Sequence, residues 1–367
     1  MSNIQNDFIS GIGNTPLIKL RASSEITGCN IYGKAEFLNP GGSVKDRAAL
    51  DLIKDAQEKK LITKGGIVVE GTAGNTGIGL GLIGNSLGYK TIIVMNNNQT
   101  QEKKDLLRNL GADLRLVEPK PYSDDGNFVK VAGRLADELR PTNNNGVIWA
   151  NQFDNTANAK GHYEGTGQEI WEQTDGKIDA FTCSSGTGGT ISGISNALKE
   201  KNKDIKIYLS DPKGSSLYNY IKNGELKSEG GSITEGIGSS RVTKNFENAK
   251  IDDAYSIDDH EALPIIYDLI QNEGLSLGTS CGINIAGAIR LGKELGPGKI
   301  FMWNNRYFTT NFYYETVIVI ADEVVDVNKD NKTYASEETL GDVVAVRSYK
   351  DSDKYEIDYT FLNKIAK

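Results

Sequence analysis

Between about residue 45 and residue 320, short β-branched apolar runs alternate with longer stretches whose apolar residues recur at helical spacing. The runs are Gly66-Ile67-Val68-Val69-Glu70, Lys90-Thr91-Ile92-Ile93-Val94-Met95, Ala112-Asp113-Leu114-Arg115-Leu116-Val117, residues 178–183, and Ile205-Lys206-Ile207-Tyr208-Leu209. Runs of this kind read as buried strands, and amphipathic segments between them imply parallel strands with crossover helices. Residues 46–61 show the helical pattern, with Ala48, Ala49, Leu50, Leu52, Ile53 and Ala56 forming one buried face among polar neighbours. Residues 101–110 make a second helix, stopped by Gly111 as a left-handed C-cap and followed by the apolar strand at 114–117. The expected fold is therefore α/β in two lobes. Asn-rich patches at 96–98 and 143–145 read as surface loops. After about residue 311 the pattern changes to short strand-like runs at 316–320, 324–327, 342–346 and 355–359, separated by acidic and Asn/Lys-rich turns. These predict a β-rich C-terminal extension.

A chain of 367 residues can hold two domains and a substantial core. Its formal net charge of −8 argues against a general binder of phosphate backbones, which needs a basic face. The opening residues 1–7 have neither a basic nor an apolar leader, and no stretch is apolar for the ~18 residues that a membrane span needs. A soluble, cytoplasmic protein is expected, with no nucleic-acid or membrane partner. Cys29, Cys183 and Cys281 are odd in number and far apart, so neither a disulfide framework nor a structural zinc site is suggested. The two histidines, His162 and His260, lie at no metal-ligand spacing and read as surface or capping residues.

Three glycine-rich segments change this picture. In Asn39-Pro40-Gly41-Gly42-Ser43-Val44-Lys45-Asp46-Arg47, a lysine held after a tight turn is placed to form a Schiff base with a carbonyl cofactor. Alone, Lys45 would pass for an ordinary solvated lysine. In Glu70-Gly71-Thr72-Ala73-Gly74-Asn75-Thr76-Gly77-Ile78-Gly79, a strand gives way to a helix, and backbone N–H groups with Thr and Asn side chains converge at the helix start, a geometry that binds anions. It is neither a Walker loop nor a Rossmann fingerprint. In Ser184-Ser185-Gly186-Thr187-Gly188-Gly189-Thr190, backbone donors and two threonine hydroxyls would suit a phosphate dianion. Together the segments point to pyridoxal phosphate chemistry. Ser280, in Gly278-Thr279-Ser280-Cys281-Gly282-Ile283-Asn284, reads by itself as a cap of the helix expected over 284–295.

In this order and spacing the segments resemble the cysteine synthase (O-acetylserine sulfhydrylase) and cystathionine β-synthase family, fold-type II pyridoxal phosphate enzymes with a tryptophan synthase β-like architecture. The resemblance begins at Ile12-Gly13-Asn14-Thr15-Pro16-Leu17-Ile18-Lys19-Leu20, includes Asn151-Gln152-Phe153-Asp154-Asn155 and Glu235-Gly236-Ile237-Gly238, and covers roughly residues 8–310. It implies two lobes of parallel-rich sheets with helices on both faces: residues 1–45 and 152–310 as the large cofactor-binding domain, 46–151 as a small mobile domain, and 311–367 as the extension.

The resemblance also implies roles. Lys45 would bind pyridoxal 5'-phosphate covalently and act as the base for the Cα proton. Gly186, Thr187, Gly188, Gly189 and Thr190 would cradle the phosphate, Asn75 would contact the cofactor's 3′ oxygen, and Ser280 its pyridine nitrogen. Thr72, Ala73, Gly74, Thr76 and Gln152 would meet the substrate carboxylate, with Gly236 lining the amino acid. The implied reaction forms L-cysteine from O-acetyl-L-serine and sulfide through an α-aminoacrylate intermediate. Cystathionine β-synthase or cysteine desulfhydrase activity would use the same intermediate, and a catalytically impaired member acting as a binding protein is a third reading. A homodimer is implied, and a complex with serine acetyltransferase is open. Three features depart from the family pattern: Ala73 stands where serine is common, Lys299-Ile300-Phe301-Met302-Trp303-Asn304-Asn305-Arg306-Tyr307 is shorter than the family's last sheet strand and its following turn, and the tail beyond it has no counterpart in the family.

Overall fold

A computed structural model of the chain describes residues 5–304. Its strands are β1 (Leu17–Lys19), β2 (Asn30–Lys34), β3 (Ile67–Gly71), β4 (Lys90–Asn96), β5 (Asp113–Val117), β6 (Val147–Trp149), β7 (Ala180–Cys183), β8 (Lys206–Pro212), β9 (Asp253–Ile257) and β10 (Ile300–Asn304). They form a six-stranded sheet in the order β1-β2-β10-β7-β8-β9 and a four-stranded sheet in the order β5-β4-β3-β6. Every pairing is parallel except β1 with β2. The α/β expectation is met. The segment 299–307 supplies β10 at the centre of the larger sheet, where Ile300 pairs with Asn30 and Phe301 with Ala180. Arg306, Tyr307 and the extension expected over 311–367 lie outside the described residues.

Parallel strands covered on both faces need continuous rather than alternating burial. All of β7 is buried, as are Thr91 to Met95 of β4 and Ile207 to Pro212 of β8. The edge strand β5 is largely exposed, and the ion pair of Arg115 with Asp113 puts charge along it, which discourages pairing with another chain. One apolar cluster, built on Phe181, Ile191, Ile194, Ile207 and Leu209, packs the larger sheet against its helices. Another, built on Leu52, Ile53, Leu80 and Ile83, joins the helices Lys45–Glu58 and Asn75–Leu87.

Two helix boundaries differ from expectation. The first helix stops at Glu58 rather than Leu61, because Lys60 takes a left-handed φ of 57° and Leu61 N–H donates back to the Ala56 carbonyl. The last helix starts at Thr279, not Asn284: Gly278 is the extended N-cap, and the Asn284 amide donates to the Ser280 carbonyl within the helix. Gly111 has the expected left-handed φ, at 76°. Residues 5–266 and 277–304 belong to one compact unit; residues 267–276, with a π-helical turn over Leu269–Glu273, fall outside it. Among the described residues no helix is long and apolar enough to cross a membrane.

Candidate functional site

Four of the segments singled out from the sequence lie at helix starts: Lys45–Glu58, Asn75–Leu87, Gly189–Lys201 and Thr279–Leu295. The second and third follow directly from the carboxyl ends of β3 and β7, where open α/β sheets place their ligands. Each helix start presents N–H groups with no intrahelical acceptor.

The turn before Lys45 is explained by Asp46. Gly41 N–H donates to Asp46 Oδ2 at 2.6 Å, and a Cβ on Gly41 would lie 2.4 Å from Asp46 Oδ1. Gly42 takes φ 80°. Lys45 itself is buried. Burial pushes the Asp46 carboxyl up to about 7 despite the Gly41 bond. Beneath this turn Arg47 is held by two carboxylates: Nε donates to Glu36 Oε2 at 2.7 Å and Nη1 to Glu169 Oε1 at 2.6 Å. Lys34 Nζ adds a contact to Glu169 Oε2 at 2.6 Å, Thr15 Oγ1 donates to Glu36 at 2.7 Å, and Gly13 N–H donates to Asn39 at 2.9 Å. The Ile12 to Leu20 motif thus braces the lysine turn. Burial alone would raise Glu169, but the bonds from Arg47 and Lys34 hold it at about 2.

The helix Asn75–Leu87 lies against the start of the lysine helix, where a Cβ on Gly79 would come within 3.2 Å of the Lys45 carbonyl oxygen. Thr76 Oγ1 donates to Gln152 Oε1 at 2.6 Å, and Gly74 N–H to Thr72 Oγ1 at 3.2 Å. Thr72, Gly74, Thr76 and Gln152 are buried, and Ala73 is half-buried. Beneath them burial pushes Glu70 up to about 8, with Gln152 and its neighbouring backbone N–H groups partly offsetting the shift.

Gln152 is linked to the second glycine loop by Asn158, whose amide donates to the Gln152 carbonyl at 2.9 Å and to Thr187 Oγ1 at 3.1 Å. Gly188 has φ 85°, and a Cβ there would lie 2.6 Å from Phe246. Ser184 N–H donates to Asn284 Oδ1, which ties this loop to the Ser280 turn, and Gly238 N–H donates to the Ser185 carbonyl at 2.7 Å. That last bond brings in the 235–238 loop, whose Gly236 is exposed. Hydrogen bonds thus link the Thr72–Thr76 loop, Gln152, the second glycine loop and the Ser280 turn, the lysine turn packs against the helix Asn75–Leu87, and Gly236 joins only through its loop.

Among the buried polar atoms with no hydrogen-bond partner among the described residues are three donors of these loops, Asn75 Nδ2, Ser185 Oγ and Ser280 Oγ, beside the acceptors Asp46 Oδ1 and both Glu70 carboxylate oxygens. Buried donors are almost always satisfied, so these fit a ligand that accepts or shares hydrogen bonds. With a glycine cradle at a helix start and a lysine, the donor set fits pyridoxal 5'-phosphate.

Several of these residues carried no signal in the sequence. Ser185 was read only as part of a loop. Asn158 and Asn245 act through partners far along the chain; Asn245 donates to the carbonyls of Gln152, Phe153 and Asn155. His162, expected at the surface or as a cap, is instead buried at 1% exposure against Thr166 and Thr190, because it opens a π-helical turn packed on the loop helix. His260 is exposed, as expected, and bonds Asp258, whose carboxylate also accepts from the His260 N–H at the start of the helix. Among the described residues no cluster of His, Cys, Asp and Glu could hold a metal ion.

Residues 9–304 match the model of a family described as pyridoxal-phosphate dependent enzyme. The chain is 49% identical over 298 residues to cysteine synthase 1 of Emericella nidulans, covering 80% of this chain and 79% of that protein. It is 42% identical over 310 residues to cysteine synthase of Dictyostelium discoideum, covering 81% and 80%. A solved hydrogen sulfide-producing enzyme from Fusobacterium nucleatum superposes with a TM-score of 0.72 at 33% identity, over 83% of this chain and 98% of that one.

Proposed function

The chain belongs to the pyridoxal-phosphate dependent enzymes, and from that premise we propose that it forms L-cysteine and acetate from O-acetyl-L-serine and sulfide. The observation that carries this is the trio of buried, unpartnered polar atoms on Asn75, Ser185 and Ser280 around a glycine cradle and a buried lysine. Cysteine synthases among the relatives support cysteine synthesis over cystathionine synthesis or desulfuration.

When bound, pyridoxal 5'-phosphate supplies an electron sink for charge developing at the amino acid's Cα. Lys45 would hold the cofactor through Nζ, and the same amine would serve as the base for the Cα proton. The N–H groups of residues 186–190, with the Thr187 and Thr190 hydroxyls, hold the phosphate at the start of their helix. Asn75 donates to the ring oxygen. Ser280 is a neutral partner for the ring nitrogen; it adds no charge there, which favours prompt loss of the β-substituent.

Thr72, Ala73, Gly74, Thr76 and Gln152 receive the substrate carboxylate at the positive end of the helix Asn75–Leu87. Ala73 contributes only its backbone. The separate four-stranded sheet that carries this loop supports the division into a mobile lobe of residues 46–151 and a large lobe of residues 1–45 and 152–310. Closure of the mobile lobe on the carboxylate excludes water while acetate leaves and sulfide adds to Cβ, with Gly236 lining the amino acid. A homodimer and a complex with serine acetyltransferase accompany the proposal on resemblance alone, and a cytoplasmic location on the scattered cysteines, odd in number; light scattering at working concentration checks the first.

The direct test is cysteine release from O-acetyl-L-serine and sulfide by the purified protein. Turnover that falls by about 10³-fold or more in Lys45→Ala supports the assignment. Equal rates in both proteins would rule it out.

A further inference from the structure

His162 opens the π-helical turn His162–Thr166, a rare geometry that often marks functional positions. Both of its ring nitrogens meet threonine hydroxyls: Nδ1 lies 2.8 Å from Thr166 Oγ1, and Nε2 lies 3.2 Å from Thr190 Oγ1. Thr190 is the second residue of the helix Gly189–Lys201, and Gly193 follows one turn later on the same face. A Cβ on Gly193 would lie 2.5 Å from His162 Cβ, so a glycine there is what lets the imidazole reach the loop helix.

A hydroxyl has one proton to give and a neutral imidazole has one N–H. With a neutral imidazole, the bonds between these three side chains run in one of two senses. In one, Thr166 donates to Nδ1, Nε2–H donates to Thr190 Oγ1, and the Thr190 proton is free for an outside acceptor. In the other, Thr190 spends its proton on Nε2 and has none left for a ligand. A phosphate dianion only accepts, so its presence selects the first sense.

We propose that His162 is a positioning residue for phosphate recognition: by donating from Nε2 to Thr190, it commits the Thr190 hydroxyl to donate to the phosphate of the ligand. The relay is Thr166, His162, Thr190, phosphate, and its three protein members are in contact in the fold. Thr166 and His162 are buried and Thr190 is half-buried, so water competes weakly along the relay. This inference rests on the 186–190 loop being the phosphate cradle.

The test compares rebinding of pyridoxal 5'-phosphate and of pyridoxal, which lacks the phosphate, after cofactor release. The proteins are wild type, His162→Ala, His162→Gln, His162→Asn, Thr190→Val and the His162→Ala/Thr190→Val pair. A glutamine amide reaches the place of Nε2, whereas an asparagine amide reaches that of Nδ1. The expected result is an about tenfold loss of pyridoxal 5'-phosphate affinity in the alanine and asparagine variants, with pyridoxal affinity unchanged. Glutamine should restore most of the loss, and the double variant should lose no more than Thr190→Val alone.

A loss shared equally by both ligands, or a thermal midpoint that falls in step with affinity, would mean that His162 only fills space, and the proposal would be wrong. So would wild-type affinity in His162→Ala. If wild type itself does not prefer the phosphorylated ligand, the cradle assignment fails first and takes the relay with it, a result distinct from the others.

Discussion

Burial sets the charge of the acidic side chains at the site. Glu70 is pushed up to about 8 by burial, against an ordinary value of 4.5. A folded-state value raised above the unfolded one gives stability that is full below about 4.5 and is lost as pH rises toward 8, because only the unfolded chain releases its proton in that window. Glu70→Gln removes this loss. Its melting temperature relative to wild type should climb from pH 5 to pH 8, by an amount on the order of a few kcal/mol in stability; parallel curves would show that Glu70 is charged in the folded protein. At the residue scale, the sequence located the motifs that carry Lys45, Asn75 and Ser280, each of which lies at or beside a helix start. It hid Asn158 and Asn245, whose partners are fixed only by the tertiary fold, and Ser185, whose loop reads through its glycines and threonines. His162 was misplaced because nothing in its local sequence distinguishes a buried π-turn from a polar helix face.

Among elements, the glycine loops were the most legible because they combine a strand, a turn and a helix start in one run. Their geometry is strict. Gly188→Ala faces both φ 85° and a Cβ 2.6 Å from Phe246, so cofactor affinity and stability should fall together, the latter by about 2 kcal/mol or more. Asn158→Ala removes the link between Gln152 and Thr187, while the Gln152 carbonyl keeps its bond from Asn245, at a cost of about 0.5–1.5 kcal/mol. Urea denaturation of both variants checks these values, and a wild-type midpoint for either contradicts the framework described. Periodicity located the helices but missed their ends, since Lys60 and Gly278 stop and start them through backbone geometry rather than hydrophobic pattern. Short strands such as β1 and β6, three residues each, left too little pattern to read.

On the scale of the whole molecule, only the resemblance implied a division, and the four strands of the smaller sheet all fall within residues 46–151. Hydrophobic pattern alone does not separate the two sheets, because strand order is decided by long-range pairing. β10 illustrates this: it inserts between β2 and β7, elements some 270 and 120 residues earlier in register, as with Ile300 beside Asn30 and Phe301 beside Ala180. The larger sheet is tied to the lysine turn by the Arg47, Glu36, Glu169 and Lys34 network. Glu169, held at about 2, contributes stability that is present above about 4.5 and is lost as pH falls toward 2. Glu169→Gln leaves Arg47 and Lys34 short of a charge and should destabilise by about 3–5 kcal/mol at neutral pH, with the gap closing as acid protonates wild type. A constant gap down to acid pH would mean that the carboxylate is not the partner that matters.

The measurement that bears most directly on the central claim is the visible absorption spectrum of the purified protein, alone, with O-acetyl-L-serine, and then with sulfide. The account requires a cofactor band that shifts on adding O-acetyl-L-serine, returns with sulfide as cysteine appears, and is altered in Lys45→Ala. A protein that carries no such band after incubation with pyridoxal 5'-phosphate, or whose band ignores O-acetyl-L-serine, would contradict it.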